Sequence, residues 1–83
     1  MSESTKPIPS PLPGVFYRRP SPEEPPFVEE GQKVKKGDPI GLVEVMKNFY
    51  EIHANENGVL VRFLVNDQDV IDSGQPVAEV KPE

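Results

Sequence analysis

Residues 40–54 read IGLVEVMKNFYEIHA, two strand-like runs separated by Met46, Lys47 and Asn48. Both runs are rich in the β-branched and aromatic residues that favour strands, so we predict a hairpin with Lys47 at its tip. A two-residue hairpin turn needs positive φ, which Asn tolerates better than Met or Lys. We therefore expect Asn48 to help the turn, and a requirement other than turn propensity to select Met46 and Lys47.

The size and charge of the chain argue against several classes of function. Its 83 residues allow one small domain without a large active-site cleft. Nine basic and 14 acidic residues give a net charge of −5, which argues against a nucleic-acid partner. The absence of cysteine and the single His53 argue against a disulfide framework and a metal site.

Targeting signals are not evident in the chain. The first residues lack the apolar core of a secretion signal, and no segment approaches the length of a membrane span. We therefore expect a cytoplasmic protein with no membrane partner.

Proline distribution suggests how the chain is organised. Eight of the 11 prolines precede Phe27, and we expect residues 1–9 to be a flexible, proline-rich tail. The folded domain is then expected to span residues 10–81. Within it, short apolar runs alternate with turn signals, a spacing that predicts an all-β fold without helix.

An internal repeat divides this domain into two similar halves. GDPIGLV, residues 37–43, matches GQPVAEV, residues 74–80, at an offset of 37, while GVFYR from Gly14 echoes GVLVR from Gly58 at an offset of 44. The seven-residue difference places an insertion at about 19–27 of the first half. We predict a sandwich of two halves related by pseudo-twofold symmetry, with this insertion protruding from one half.

The run from Ser10 to Val80 resembles the biotinyl domain of biotin carboxyl carrier proteins, the carriers of bacterial-type acetyl-CoA carboxylases. In that family a flattened β-sandwich, or barrel-sandwich hybrid, of two four-stranded antiparallel sheets presents Met-Lys at a hairpin tip. Met46 and Lys47 match that pair, and Glu44 matches an acidic residue three before the lysine. The insertion is similar to the family's protruding thumb loop, here Pro20, Ser21, Pro22, Glu23 and Glu24.

The resemblance implies a non-catalytic carrier with biotin in amide linkage to Lys47. Its implied partners are a biotin protein ligase, a biotin carboxylase and a carboxyltransferase that acts on an acyl-CoA, by resemblance acetyl-CoA in fatty acid synthesis. The ligase is expected to read Glu44, Val45, Met46 and Asn48 around the lysine. The family's usual run is Glu-Ala-Met-Lys followed by Met or Leu, so Val45 and Asn48 depart from it.

Lysine suits this chemistry for a physical reason. Its primary amine, once deprotonated, can attack the activated carboxyl of biotinyl-adenylate, whereas arginine does not lose its proton in proteins. Acylation removes the charge and leaves a long flexible arm.

Other functions are also compatible with these sequence features. Lipoyl carriers resemble the same fold but typically place Asp directly before the lysine, where Met46 stands. An unmodified β-sandwich used only for interactions is also compatible with the fold. A Schiff-base enzyme is less favoured, because a solvated tip lacks the desolvation that lowers an amine pKa.

The remaining candidates have simpler interpretations. We expect Glu51 and His53 to share a solvated strand face rather than to act in acid–base catalysis. Core or core-edge positions are predicted for the aromatic residues Phe16, Tyr17, Phe49 and Phe63. A solubilising surface is predicted for the acidic cluster of Glu23, Glu24, Glu29 and Glu30.

Overall fold

The computed structural model describes residues 4–83, which contain eight strands and no helix. The strands are β1 (Lys6–Pro9), β2 (Gly14–Tyr17), β3 (Lys33–Val34), β4 (Pro39–Val45), β5 (Asn48–His53), β6 (Gly58–Phe63), β7 (Val70–Ile71) and β8 (Pro76–Pro82). They form two four-stranded antiparallel sheets, ordered β1-β8-β6-β3 and β5-β4-β2-β7. The all-β sandwich prediction is confirmed.

One hydrophobic core holds the two sheets together. Alternate strand residues face it, so each sheet contributes an apolar inner face and leaves a more polar outer face. Phe16 and Leu60, at equivalent places in β2 and β6, are both fully buried. Burial of such a side chain contributes about 1.5–3 kcal/mol to stability. The buried cluster comprises Ile8, Phe16, Val28, Val34, Ile40, Val43, Ile52, Ala54, Leu60, Ile71, Val77, Ala78 and Val80.

Pseudo-twofold symmetry is visible in both the strand order and the hydrogen bonds. The two sheets have equivalent strand orders: β1, β8, β6 and β3 of the first sheet correspond to β5, β4, β2 and β7 of the second. Each pair of corresponding strands is four strands apart in the chain. Gly37 N donates to Ala54 O at 2.8 Å, and Gly74 N donates to Ser10 O at the same distance. These pairs are related by the two sequence offsets of the repeat, so the predicted symmetry is confirmed.

Two equivalent glycines lie where the neighbouring strand leaves no room for a side chain. A Cβ at Gly14 would collide with the Glu44 carbonyl oxygen, and one at Gly58 would collide with the Lys81 carbonyl oxygen. Neither site can hold a larger residue without moving the neighbouring backbone. The repeated glycines are therefore a packing requirement of each half.

The prediction of a flexible tail over residues 1–9 is wrong for Lys6–Pro9. This segment forms β1 and pairs with β8, and Ile8 is only 1% exposed. Prolines usually argue against a strand because they lack a backbone N–H donor. β1 is an edge strand, and an edge strand tolerates proline because one of its sides makes no cross-strand hydrogen bonds. The domain thus begins before Ser10, while residues 1–3 of the predicted tail lie outside the described residues.

Two further properties concern residues 4–83 as a whole. No helix among them is long and apolar enough to cross a membrane. Nor do these residues bring three or more His, Asp or Glu side chains together as a metal site.

Candidate functional site

The hairpin between β4 and β5 has Met46 and Lys47 as its two loop residues. Val45 and Asn48 are its last cross-strand pair, and φ is 51° at Met46 and 68° at Lys47. Positive φ at both central residues is the mark of the type I′ turn, whose twist matches that of the flanking strands. Asn48 lies in β5 rather than in the turn, so the expectation that it supplies the positive φ is wrong.

Both loop residues project into solvent. Met46 is 88% exposed and Lys47 is also exposed. Among residues 4–83, the Lys47 side chain has neither an ion pair nor a hydrogen bond. Its amine is therefore accessible from solvent and has no hydrogen bond or ion pair with residues 4–83 to break.

The base of the turn is held by a contact from β2. Glu44 and Phe49 face each other across β4 and β5. Tyr17 at the end of β2 donates its hydroxyl hydrogen to Glu44 Oε1 at 3.0 Å, and its ring centre lies 6.1 Å from that of Phe49. Tyr17 thus contacts both arms of the hairpin, immediately before and after the closing pair.

This contact alters the acidity of Tyr17. The hydrogen bond to Glu44 raises the pKa of Tyr17 above its usual value of 10.0, and partial desolvation and the charges of Glu44 and Asp67 add to the effect. Each of these factors disfavours the phenolate. The hydroxyl therefore remains a hydrogen-bond donor throughout the neutral pH range.

A groove of about 870 Å³ lies beside this contact. Residues 20–22 of the inserted segment line one part of it, and Leu42, Glu44 and Phe49 of the hairpin line another. Its volume falls in the range of small-molecule sites, and its lining combines aliphatic and aromatic surface with a few polar groups. The groove thus connects the insertion to the hairpin that carries Lys47.

The inserted segment, residues 19–27, forms a loop that we term the thumb loop. At its base Phe27 N donates to Arg18 O at 3.0 Å. Within it Arg19 Nη1 donates to Glu24 O at 3.3 Å, and Glu24 N donates to Ser21 O at 3.1 Å. These local bonds give the loop a defined shape although it contains no strand.

Arg18 anchors the thumb loop to the second half of the domain. Its guanidinium carbon lies 4.2 Å from the Phe63 ring centre, a cation–π contact. Its backbone N donates to Asp67 Oδ1 at 2.8 Å, and its Nη2 lies 3.9 Å from Glu29 Oε1. These contacts leave the Nε of Arg18 buried without a hydrogen-bond partner in the described part of the chain.

Several site residues predicted from sequence come together in space. One continuous stretch of the hairpin contains the predicted attachment lysine and ligase-recognition residues, Glu44, Val45, Met46, Lys47 and Asn48. Pro20, Ser21 and Pro22 share the groove with Glu44, whereas Glu23 and Glu24 are exposed and lie outside its lining. The sequence therefore indicated both walls of the groove, and about half of the thumb residues face it.

Other lining residues were not recognised from the sequence. The sequence predicts core or core-edge positions for Tyr17 and Phe49, yet Phe49 is 58% exposed and Tyr17 contacts it at the groove. No role at the site is predicted from the sequence for Leu42 or Arg18, which also line the groove. Alternation in β4 could have indicated Leu42, since Leu42 and Glu44 share one face of the strand.

The predicted surface pair on β5 is present. His53 Nε2 lies 3.0 Å from Glu51 Oε1, and both side chains are about half exposed. Neither lines the groove.

Comparison with known protein families supports the resemblance noted in the sequence. The Biotin_lipoyl family model, described as biotin-requiring enzyme, matches residues 6–80. This match begins at the first residue of β1 and includes the whole hairpin.

Curated proteins with similar sequences share one description. The biotin carboxyl carrier protein of acetyl-CoA carboxylase from Haemophilus influenzae is 43% identical over 72 residues, which cover 87% of this chain and 46% of that protein. The corresponding protein from Streptococcus pyogenes is 43% identical over 74 residues, covering 89% and 45%. The chloroplastic protein from Glycine max is 39% identical over 79 residues, covering 95% and 30%. The chain thus spans less than half the length of these relatives.

Solved structures show the same fold inside much larger proteins. The Kluyveromyces lactis urea carboxylase matches with a TM-score of 0.78 at 22% identity, over 96% of this chain and 6% of that protein. A single-chain, multi-domain long-chain acyl-CoA carboxylase matches with a TM-score of 0.80 at 19% identity, over 100% and 8%. At these identities the likeness establishes the fold alone.

Proposed function

Because the chain belongs to the biotin-requiring enzyme family, we propose that it is a biotin carboxyl carrier domain with Lys47 as its attachment residue. The observation that carries this proposal is the Met46-Lys47 turn. Both residues are exposed, and the Lys47 amine has no partner among residues 4–83. A two-residue loop between paired strands would present that amine to an enzyme at the tip of the hairpin.

Attachment requires little from the carrier beyond this presentation. A biotin protein ligase would bind the hairpin through Glu44, Val45, Met46 and Asn48. The Lys47 amine, deprotonated in the ligase active site, attacks the acyl carbon of biotinyl-adenylate; an amide bond forms and AMP leaves. Lys47 is the nucleophile in this maturation step only.

We infer that the groove accepts the ring system of biotin, because its volume and its mixed apolar and polar lining suit a small ligand. Leu42 and Phe49 would supply apolar contact, and the Glu44 carboxylate would accept hydrogen bonds from ureido N–H groups. Pro20, Ser21 and Pro22 would close the opposite side. When bound, biotin supplies a ureido nitrogen that takes up and gives up a carboxyl group.

The carrier's contribution to carboxylation is the tether. A biotin carboxylase would load the carboxyl group and a carboxyltransferase would pass it to an acyl-CoA, with acetyl-CoA favoured by the descriptions of the relatives. A tethered group reaches both sites at a high effective concentration. The domain itself is non-catalytic in this proposal and works in the compartment of its partner enzymes, which we expect to be the cytoplasm.

Two other functions remain as alternatives. A lipoyl carrier would have the same fold and an equivalent lysine, but Met46 occupies the place of the usual Asp. An interaction module without modification would leave the exposed Lys47 amine without a role as an attachment point. Both alternatives predict no biotin on Lys47.

The proposal is tested by intact mass and peptide mapping after incubation with a biotin protein ligase, biotin and ATP. We expect the mass of one biotin less one water, located at Lys47. Lys47→Arg should keep the fold and remain unmodified, since arginine keeps the charge but not the acylable amine. Lys36→Arg, at another exposed lysine, is the matched control and should be modified normally. A label at another residue, or lipoate in place of biotin, would overturn the proposal.

A further inference from the structure

We propose that Tyr17 is a positioning residue that fixes the base of the Met46-Lys47 turn for the modifying ligase. This inference rests on the proposed function of Lys47. It assigns a task to a side chain that belongs neither to the hairpin nor to the thumb loop.

Strand register brings Tyr17 to the hairpin. In the β2–β4 ladder Val15 faces Glu44 and Tyr17 faces Leu42, so Tyr17 and Glu44 are diagonal neighbours on the same face. The 3.0 Å hydrogen bond to Glu44 and the ring contact with Phe49 follow from this geometry. One side chain therefore joins the two arms of the hairpin.

The hairpin needs support at this point. Exposure rises from 0% at Val43 to 88% at Met46, so the strands leave the core as they approach the turn. Val45 packs against the core on the inner face of the sheet. Tyr17 supplies the corresponding contact on the outer face, and together they hold a turn whose two residues both have positive φ.

Tyr17 also adjoins the thumb loop. Arg18, the next residue, accepts the hydrogen bond from Phe27 that closes the loop base. Tyr17, Glu44 and Phe49 all line the groove between loop and hairpin. Tyr17 therefore contacts the hairpin beside the groove that the thumb loop also lines.

The other half of the domain provides an internal control for this inference. By the repeat offsets, Val61 stands at the position equivalent to Tyr17, and Lys81 at the position equivalent to Glu44. Valine cannot donate the hydrogen bond, and β6 has a register irregularity between Leu60 and Arg62 at this place. The second half of the domain thus has the same strand arrangement without this contact. We infer that the Tyr17–Glu44 contact serves the turn rather than the fold.

The test compares ligase kinetics for the wild type, Tyr17→Phe, Glu44→Gln and the double variant. Tyr17→Phe keeps the ring and removes the donor, so we expect the KM for the carrier to rise roughly three- to tenfold with kcat little changed. Glu44→Gln keeps an acceptor oxygen for Tyr17 but removes the charge, and the proposed direct contact of Glu44 with the ligase adds its own effect on KM. In the double variant KM should rise by less than the product of the two single effects, because Tyr17→Phe already removes the hydrogen bond that Glu44→Gln weakens.

Glu51→Gln is the matched control, since Glu51 contacts His53 instead of Tyr17. It should leave the KM unchanged. Amide exchange gives a second readout: in Tyr17→Phe the amides of the closing pair, Val45 and Asn48, should exchange faster, while those of β6 and β8 stay as in the wild type. Additive effects of Tyr17→Phe and Glu44→Gln, or unchanged KM and exchange in Tyr17→Phe, would overturn the inference. Failure of the wild type to accept biotin at Lys47 would instead contradict the proposed function.

Discussion

Val45 and Asn48 face each other at the ends of β4 and β5, so Met46 and Lys47 alone form the loop between them. Both loop residues have positive φ although neither is glycine, asparagine or aspartate. Such backbone conformations cost about 1–2 kcal/mol per residue. Residues that oppose the local turn preference stand where the proposed modification occurs, as expected when function overrides local stability.

Met46→Asn is predicted to stabilise the domain and to impair modification. Asn tolerates positive φ, so the free energy of unfolding should rise by about 1 kcal/mol. Biotinylation should slow, since the ligase would lose a residue that we expect it to read. Urea denaturation and initial modification rates measure the two effects. Met46→Leu keeps an apolar side chain and the unfavourable φ, so it should not stabilise the domain. Equal stability of Met46→Asn and the wild type would contradict the claim that positive φ at Met46 costs stability.

Deletion of residues 20–26 is predicted to leave a folded carrier with a freer biotin arm. By the repeat offsets, Arg19 is equivalent to Phe63 and Phe27 is equivalent to Leu64. Phe63 and Leu64 are adjacent in the second half, so Arg19 can be joined directly to Phe27. The core cluster contains no residue of the deleted segment. Cooperative unfolding and acceptance of biotin should therefore persist.

The consequence of this deletion should be confined to the groove. With one wall removed, NMR relaxation of the attached biotin should show faster motion, and transfer through the partner enzymes should fall. A deletion variant that does not fold would show the thumb loop to be structural. Unaltered biotin mobility and transfer would reduce it to a simple connection.

Gly14→Ala and Gly58→Ala are predicted to destabilise the domain to a similar extent, by about 2 kcal/mol or more. Each added methyl group would collide with a backbone carbonyl oxygen, that of Glu44 or that of Lys81. Only Gly14→Ala displaces β4 beside Tyr17 and the turn. Modification rates under conditions where both variants are folded should therefore fall for Gly14→Ala alone, and equal rates would show that the turn tolerates a shift of β4.

The pKa of Tyr17 is predicted to fall towards its usual value in Glu44→Gln, because the hydrogen bond to a charged carboxylate is the largest cause of its rise. Because the pKa of Tyr17 is raised in the folded state, the protonated hydroxyl contributes to the free energy of unfolding. This contribution is fully present below pH 10.0 and is lost as the pH rises through the folded-state pKa. NMR titration of the tyrosine ring carbons measures the shift. An identical Tyr17 titration in both proteins would contradict the role of Glu44.

Much of the architecture follows from local patterns that a sequence displays directly. Alternation of apolar residues around Lys47 indicates the hairpin, and repeated Gly-x-Pro segments indicate two equivalent halves. The insertion is visible because the two repeat offsets differ. These features depend on neighbours in sequence, so their physical causes are present in short segments.

The structure corrected the expectations where such patterns were ambiguous. Pro7 and Pro9 resemble a linker by composition, and only pairing with β8 makes Lys6–Pro9 a strand. Asparagine is common in turns, but the β4–β5 register places Asn48 in the ladder opposite Val45. In both cases cross-strand hydrogen bonding outweighs local propensity.

The sequence by itself determined the sandwich class, its symmetry, the exposed lysine in a hairpin and the presence of an extra loop. Only the tertiary structure decided that Tyr17 meets Glu44 and Phe49, and that residues 20–22 face Leu42 across a groove. The physical reason is that these contacts join residues about 20 or more positions apart. Their geometry depends on the register of β2 against β4, which is set by the packing of the whole core rather than by the periodicity of either strand.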